Sequence, residues 1–310
     1  MMTTAKSTLD LIGNTPILKL KEIVPINSAE IWLKFEAKNP TGSYKDRMAK
    51  SVLENALKRG DVTVGDTVVE YTGGSTGSSL AFVSAALGLK FVAVFSDAFS
   101  SNKQRTMEAF GATVHVEKSN GKGITPELIQ RMKTKAFELS KKGNTFYADQ
   151  FGSTDVTLGY EPMGKEIGNQ LDGEIDVLCA SVGTGGAIMG CWKGLVQNGI
   201  TADVVAFEPH QSPFLTTGKG GAHQVEGIGV GFEPPFLDRS VLADIRAIDQ
   251  ELGFKMCRRL AREEGVFCGA STGLNVVGAL QLAQELGPGN KVVTLACDSG
   301  LKYLGGSLYE

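Results

Sequence analysis

Short runs of β-branched and aromatic residues alternate along this chain with longer amphipathic stretches, and glycines separate many of them. Thr67–Glu70 has the character of a strand and Ser78–Leu87 that of a helix, and Phe91–Phe95 and Asn102–Phe110 repeat that order. A second series begins with a strand at Asp176–Ala180. Strands that alternate with helices form parallel sheets, because each helix returns the chain to the start of the next strand. The sequence therefore predicts an α/β fold of mostly parallel twisted sheets flanked by helices.

The length of the chain predicts two lobes. Its 310 residues exceed the size of a single average domain. No repeat or low-complexity linker separates the two series, so we expect the lobes to share a broad interface and to close over a cleft. The expected smaller lobe spans 36–150, and the larger spans 1–35 and 151–310. One large domain is the alternative.

Composition narrows the function classes. A net charge of -3 provides no basic surface for nucleic acid or an anionic membrane. The five cysteines are widely spread without a C-x-x-C pair, and the three histidines lack metal-ligand spacing, which argues against a disulfide framework and a metal site. No apolar run approaches the length of a membrane span, so the expected location is the cytoplasm.

The segment Asn39–Arg47, N-P-T-G-S-Y-K-D-R, is the first candidate for chemistry. Pro40 and Gly42 form a turn that can present Lys45 at the start of a helix. The positive partial charge there favours an unprotonated amine, the form that attacks carbonyl groups. A surface lysine in a capped helix start is the alternative.

Two glycine-rich loops lie between a strand and a helix. Thr72–Gly77 reads T-G-G-S-T-G, and Gly183–Ala187 reads G-T-G-G-A. Such loops direct backbone N–H groups outward and bind carboxylates or phosphates. Two of them indicate a ligand with two anionic groups, although either loop alone also suits a dinucleotide site or tight packing.

Together these motifs resemble the cysteine synthase and cystathionine β-synthase branch of the β-family (fold type II) of pyridoxal phosphate enzymes. The resemblance runs from Gly13–Pro16 to Gly300–Leu304. It implies pyridoxal 5'-phosphate as cofactor, bound in the cleft between the lobes, and a homodimer of the kind typical of the relatives. The partners it implies are a small amino acid and a small nucleophile.

The resemblance also assigns residues. Lys45 matches the lysine that forms the internal aldimine, and Ser271 matches the serine at the pyridine nitrogen. Gln150 matches the glutamine that helps to hold the substrate carboxylate, and Gly227 lies in a loop, G-I-G, that faces the substrate. The expected phosphate cup consists of Gly183, Thr184, Gly185, Gly186 and Ala187. The expected substrate-binding loop supplies Thr72, Gly73, Ser75 and Thr76, and Ser75 also contacts the cofactor. Taken singly, these residues favour plainer roles: Ser271 a helix cap, Gln150 a solvated loop residue and Gly227 a turn. Their order along the chain, which matches the family, favours the functional roles instead.

The chain departs from the family pattern at four of these positions. Where cysteine synthases have T-S-G-N-T-G, it has Gly73 and Ser75 at the second and fourth positions. Tyr44 replaces a small aliphatic residue, and Ala187 replaces the last threonine of the cup. A serine hydroxyl is shorter than an asparagine amide and has fewer donors, so Ser75 puts the choice of donor and leaving group in doubt.

The activity implied is β-replacement on an O-activated serine through an aminoacrylate, with sulfide as the nucleophile. Lys45 would take the Cα proton after the substrate amine displaces it. The alternative within the family is a β-elimination lyase of the cysteine desulfhydrase or serine dehydratase type. More remote alternatives are a nicotinamide-dependent oxidoreductase, because strand–loop–helix units also bind dinucleotides, and a catalytically silent paralogue, suggested by Ser75.

Overall fold

The computed structural model describes residues 4–121 and 123–310, which form two compact units. The first contains residues 4–12 together with the described residues of Lys45–Gly159. The second contains Gly13–Tyr44 and Tyr160–Glu310. The two units thus divide at 12/13, 44/45 and 159/160, whereas the sequence led us to expect 35/36 and 150/151. The lobe boundaries expected from the sequence stay a prediction.

Ten strands and ten α-helices are present in the described residues. The strands are β1 Ile17–Lys19, β2 Glu30–Lys34, β3 Thr67–Tyr71, β4 Lys90–Ser96, β5 Thr113–Glu117, β6 Thr145–Tyr147, β7 Val177–Ser181, β8 Asp203–Pro209, β9 Leu242–Ile248 and β10 Lys291–Leu295. The helices are α1 Lys45–Arg59, α2 Ser75–Ala86, α3 Ser101–Ala109, α4 Pro126–Ser140, α5 Asp155–Leu158, α6 Glu161–Gln170, α7 Gly186–Gln197, α8 Phe214–Thr217, α9 Gln250–Arg259 and α10 Ala270–Leu286.

The first unit contains a four-stranded parallel sheet in the order β5-β4-β3-β6. In β3, Val69 pairs with Val92 of β4 and Tyr147 of β6. Helix α4 packs on β3, and α1 packs on α2. Because β3 and β6 are neighbours and parallel, the residues that follow them emerge at the same edge of the sheet.

The second unit contains a six-stranded sheet in the order β1-β2-β10-β7-β8-β9. Only β1 is antiparallel to its neighbour among these pairs. Helix α10 packs against β7 and β10, and most of its first three turns are buried. The start of α10 and the loop after β7 are thereby held in one unit.

The prediction of a mostly parallel α/β fold is confirmed, and the two N-terminal strands are an addition to it. The sequence pattern did not predict strand β2, because its fifth residue, Lys34, is charged yet has no exposed surface. The Lys34 ammonium donates to Thr15 O at 2.7 Å and Gln170 Oε1 at 3.0 Å, and it pairs with Glu166 at 2.7 Å. These partners satisfy a buried charge that composition alone places at the surface.

Within residues 4–121 and 123–310, no helix is both long and apolar enough to span a membrane. The five cysteines are all buried. The described residues contain no group of His, Cys, Asp and Glu side chains that could hold a metal ion.

Candidate active site

Lys45 is the first residue of α1 and is half-buried. The two residues before it are fixed by the second unit. Ser43 forms an antiparallel bridge with Asp298, and the Tyr44 N–H donates to Cys297 O at 2.9 Å. The backbone that leads into Lys45 is therefore held firmly, which favours a defined direction for the lysine side chain.

Tyr44, one of the departures from the family pattern, belongs to the core of the second unit. Its ring centroid lies 5.6 Å from that of Tyr160, and burial raises the pKa of its hydroxyl well above the ordinary value. The Tyr44 hydroxyl therefore stays protonated, and the ring fills buried volume.

The loop after β3 and the first turn of α2 contain the predicted substrate residues Thr72, Gly73, Ser75 and Thr76. The Thr72 hydroxyl oxygen accepts hydrogen bonds of 3.0 Å from the N–H groups of both Gly74 and Gly77. This bends the chain sharply, and Gly74 has a φ of 145°, which only glycine adopts readily. The Thr76 N–H has no acceptor among the residues that the structure describes. It is a free donor at a helix N-terminus, which suits a carboxylate.

Gln150 meets this loop although it is remote in sequence. Its side-chain oxygen accepts a 2.8 Å hydrogen bond from the Thr76 hydroxyl, and its amide nitrogen donates to Tyr71 O at 3.1 Å. The first unit thus brings the predicted carboxylate-binding residues together at the end of β3.

Phe99 explains one departure in this loop. A Cβ atom at Gly73 would lie 2.8 Å from Cε1 of the Phe99 ring, closer than real contacts allow. The centroid of the Phe99 ring lies 5.5 Å from that of the Phe95 ring, so the two rings pack together. A serine at position 73 therefore has no room unless Phe99 moves.

The predicted phosphate cup lies between β7 and α7. Gly185 has a φ of 84°, and a Cβ there would lie 2.7 Å from the backbone nitrogen of Leu237. The Gly186 N–H donates to the Thr184 hydroxyl at 3.2 Å. The N–H groups of Gly185 and Ala187 have no acceptor within the described part of the chain. The cup therefore offers backbone donors at a helix N-terminus, which fit a phosphate, and the methyl side chain of Ala187 leaves its own N–H unchanged.

The Gly227 loop lies against this cup. A Cβ atom at Gly183 would overlap the Gly227 carbonyl oxygen, so the two backbones are in direct contact. The Gly229 N–H donates to Val182 O at 3.0 Å. His223 closes the loop, because its Nε2 lies 2.9 Å from Gly229 O.

Ser271 is the second residue of α10 and is buried. Its hydroxyl has no hydrogen-bond partner among the residues described, so it can donate to or accept from a ligand atom. Asn275, one helical turn later, accepts from the Ser181 N–H at 2.7 Å and donates to Leu295 O at 2.9 Å. Asn275 thereby links the helix of Ser271 to the strand that leads into the phosphate cup.

Asn275, Glu70 and His223 were not among the site residues predicted from the sequence. Asn275 is a polar residue among apolar ones in α10, and Glu70 is a charged residue in an apolar strand. A polar residue inside an apolar run is therefore the signal that could have identified both. His223 carries no such signal. The roles that the resemblance assigns to the site residues remain predictions.

Comparison with known proteins agrees with these features. The model of the family described as pyridoxal-phosphate dependent enzyme matches residues 8–298. Cysteine synthase from Staphylococcus aureus is 37% identical over 304 residues, 97% of this chain and 96% of that protein.

Solved structures give the same result. A crystal structure of O-ureido-L-serine synthase has a TM-score of 0.92 at 34% identity and covers 99% of this chain and 96% of its own. A hydrogen sulfide-producing enzyme from Fusobacterium nucleatum has a TM-score of 0.89 at 33% identity, with 97% of this chain and 100% of that chain covered. These matches exclude the alternative of a nicotinamide-dependent oxidoreductase. The chain belongs to the cysteine synthase and cystathionine β-synthase family of pyridoxal-phosphate dependent enzymes, and its cofactor is pyridoxal 5'-phosphate.

Proposed function

We propose that this enzyme catalyses β-replacement on an O-activated serine, with sulfide as the nucleophile and cysteine as the product. The observation that carries the proposal is the pairing of Thr76 with Gln150 beside the free Thr76 N–H. The Thr76 N–H and the second hydrogen of the Gln150 side-chain amide are the donors that suit the α-carboxylate of an amino acid. The 37% identity to a cysteine synthase supports sulfide as the nucleophile.

Lys45 and the loop after β3 act on different parts of the substrate. Pyridoxal phosphate, when bound, supplies an electron sink for the bonds at the substrate Cα. Lys45 holds the cofactor covalently and, once its amine is free, takes the proton from Cα. Thr76 and Gln150 fix the carboxylate, so that the Cα–H bond meets the lysine in one orientation.

The second unit holds the cofactor. The N–H groups of Gly185 and Ala187 bind the phosphate, and Thr184 orders the cup through Gly186. The Ser271 hydroxyl binds the ring nitrogen as a neutral partner. Because a hydroxyl brings no negative charge, it does not favour a proton on that nitrogen. With the cofactor bound, a neutral partner at that nitrogen would favour loss of a β-substituent over transamination.

The test is a screen of donors and nucleophiles on the purified holoenzyme. O-acetylserine, O-phosphoserine, serine and cysteine are each supplied with and without sulfide, and the products are identified by mass. Cysteine formed from an O-activated serine only when sulfide is present supports the proposal. A product set without any β-substituted amino acid contradicts it.

A second candidate is β-elimination, which releases pyruvate and ammonia. Ser75 favours it, because a serine hydroxyl there makes fewer hydrogen bonds than the family's asparagine. The likeness to a hydrogen sulfide-producing enzyme supports it as well. Pyruvate released from cysteine or O-acetylserine at saturating sulfide identifies this reaction.

The homodimer expected from the resemblance belongs to the same proposal. Light scattering of the holoenzyme at several concentrations measures its mass directly. A mass twice that of the 32.9 kDa chain supports a dimer, and a single-chain mass contradicts it.

A further inference from the structure

Glu70 is an acidic residue in the interior of the first unit. It lies in β3 directly after Val68 and Val69, and none of the three has exposed surface. Burial of a carboxyl group is costly unless its oxygens find hydrogen-bond donors. The partners of Glu70 therefore indicate why an acid is retained in this strand.

The carboxyl group connects the ends of two neighbouring strands. Its Oε1 accepts from the Tyr71 N–H at 3.0 Å, and its Oε2 accepts from the Gln150 N–H at 2.9 Å. Tyr71 is the last residue of β3, whereas Gln150 follows β6 and is 80 residues away in sequence. One side chain thus satisfies a backbone donor in β3 and another beyond the end of β6.

The contact with Gln150 is made where the backbone is unusual. Asp149, the residue before it, has a φ of 48°, which is uncommon for residues other than glycine. The side-chain amide of Gln150 is held separately by Tyr71 O and the Thr76 hydroxyl. Glu70 therefore fixes the peptide group of Gln150, while the other two contacts fix its amide.

We propose that Glu70 is a positioning residue for the substrate α-carboxylate and acts through Gln150. This inference rests on the proposed function, in which Gln150 and Thr76 bind that carboxylate. Glu70 itself does not touch the substrate. Its hydrogen bond holds the backbone of Gln150 so that the amide stays beside the loop after β3.

The charge of Glu70 is consistent with this role. Burial, with a smaller contribution from the neighbouring Asp149, raises its pKa to about 8, although the hydrogen bonds from Gln150 and Tyr71 oppose the shift. A carboxyl group that is largely neutral at pH 7 still accepts hydrogen bonds. A neutral Glu70 also repels the carboxylate of an incoming substrate less than an ionised Glu70 would.

The test compares two ligands that differ only in the carboxylate, L-serine and L-serinamide. Their dissociation constants for the holoenzyme are measured by calorimetry at pH 7, and kcat and KM are measured in parallel for O-acetylserine. Glu70→Gln has the same size but turns an NH2 group toward one of the two N–H donors, so one hydrogen bond is lost. If Glu70→Gln does not fold, Glu70→Asp replaces it, because the shorter side chain withdraws the acceptor from Gln150.

We expect the preference of the wild-type protein for serine over serinamide to fall between about twofold and tenfold in Glu70→Gln, with serinamide binding unchanged. KM should rise by a similar factor and kcat should change less. Gln150→Ala should lower the preference as well, and the double variant should lower it no further than Gln150→Ala alone, because both act through one contact.

Glu208 provides a matched control. It is also a buried glutamate near the end of a strand, β8, and it accepts from the N–H groups of Leu215 and Thr216 at 2.7 and 2.9 Å. Glu208→Gln should leave the preference for the carboxylate unchanged. An equal loss for serine and serinamide in Glu70→Gln, or additive effects with Gln150→Ala, would overturn the inference. A wild-type protein that binds both ligands equally would instead remove the proposed carboxylate site, and this inference with it.

Discussion

The Thr76 hydroxyl donates a 2.8 Å hydrogen bond to the side-chain oxygen of Gln150, across 74 positions of sequence. The two residues meet because β3 and β6 are adjacent parallel strands, and each residue lies just beyond the end of one of them. The order of strands in the first unit therefore brings together, from two separate segments, the two residues of the proposed carboxylate site.

Gly73→Ser restores the family residue in the substrate loop but should weaken the protein. The new Cβ would lie 2.8 Å from the Phe99 ring, and overpacking of this kind costs about 1–3 kcal/mol of stability. Urea unfolding measures the loss, and Gly73→Ser combined with Phe99→Ala should lose less than the two single changes added. Gly143→Ser is the control, because no atom lies within 4 Å of a Cβ at that position. Equal stability of Gly73→Ser and the wild-type protein would show that the ring moves freely.

His223 should hold the Gly227 loop only while its ring is neutral. Nε2 donates to Gly229 O at 2.9 Å, and Nδ1 accepts from the Val225 N–H at 3.3 Å. Burial lowers the pKa of His223, and the bond to Gly229 opposes this. A lowered folded-state pKa means that the stabilisation is present above the unfolded value of about 6.5 and is lost as the pH falls through the folded value.

Hydrogen exchange of the backbone at residues 225–229 measures this effect. The wild-type loop should lose protection as the pH falls below 6.5, the ordinary pKa of histidine, and His223→Gln, which lacks the titrating ring, should show no such pH dependence. His115→Gln changes an exposed histidine of the other unit and serves as the control. The same acid-dependent loss of protection in His223→Gln would contradict the account.

Glu70 should make the stability of the protein fall with rising pH. Its pKa is raised from 4.5 to about 8 in the folded protein, so the folded state binds more protons than the unfolded state between these values. The stabilisation is complete below about pH 4.5 and is lost as the pH rises through about 8. Tyr71 and Tyr147 interact with Glu70, but their pKa values are raised above 10, so they do not titrate in this window.

Urea unfolding from pH 5 to pH 9 tests this prediction. The difference in unfolding free energy between the wild-type protein and Glu70→Gln should shrink steadily as the pH rises. A difference that stays constant across the range would show that Glu70 keeps one protonation state throughout.

Ser75→Asn should shift the products of O-acetylserine from pyruvate toward cysteine. The asparagine amide offers hydrogen bonds that the serine hydroxyl cannot. One neutral hydrogen bond is worth about 0.5–1.5 kcal/mol, which changes the ratio of cysteine to pyruvate by a factor of about two to ten. Both products are measured at matched sulfide. Ser75→Ala, which removes the hydroxyl without adding an amide, should not raise the ratio. An unchanged ratio in Ser75→Asn would show that position 75 does not set the partition.

The sequence predicts most of the fold, because the β-branched runs that form β3, β4 and β7 are short, apolar and separated by glycine. It predicts the two glycine loops for the same reason, since each directly follows such a run. Strand β2 is missed because its charged residues are satisfied by partners distant in sequence, as with Lys34 and Glu166.

The contacts that fix the site could not be predicted in this way. The hydrogen bond between Glu70 and Gln150 spans 80 residues, and that between Ser181 and Asn275 spans 94. Each depends on which strands and helices become neighbours, and local pattern does not encode that order. The fit of Gly73 to Phe99 has the same origin, because Phe99 lies after β4, the neighbour of β3.

Borohydride reduction of the holoenzyme tests whether the cofactor is attached covalently to Lys45. The reduced holoenzyme is digested, and the peptide that carries the pyridoxyl group is sequenced by mass spectrometry. We expect a single modified lysine, Lys45, and a Lys45→Ala protein that folds but carries no pyridoxyl group and has no turnover. A pyridoxyl group on another lysine, or turnover by Lys45→Ala, would contradict this expectation.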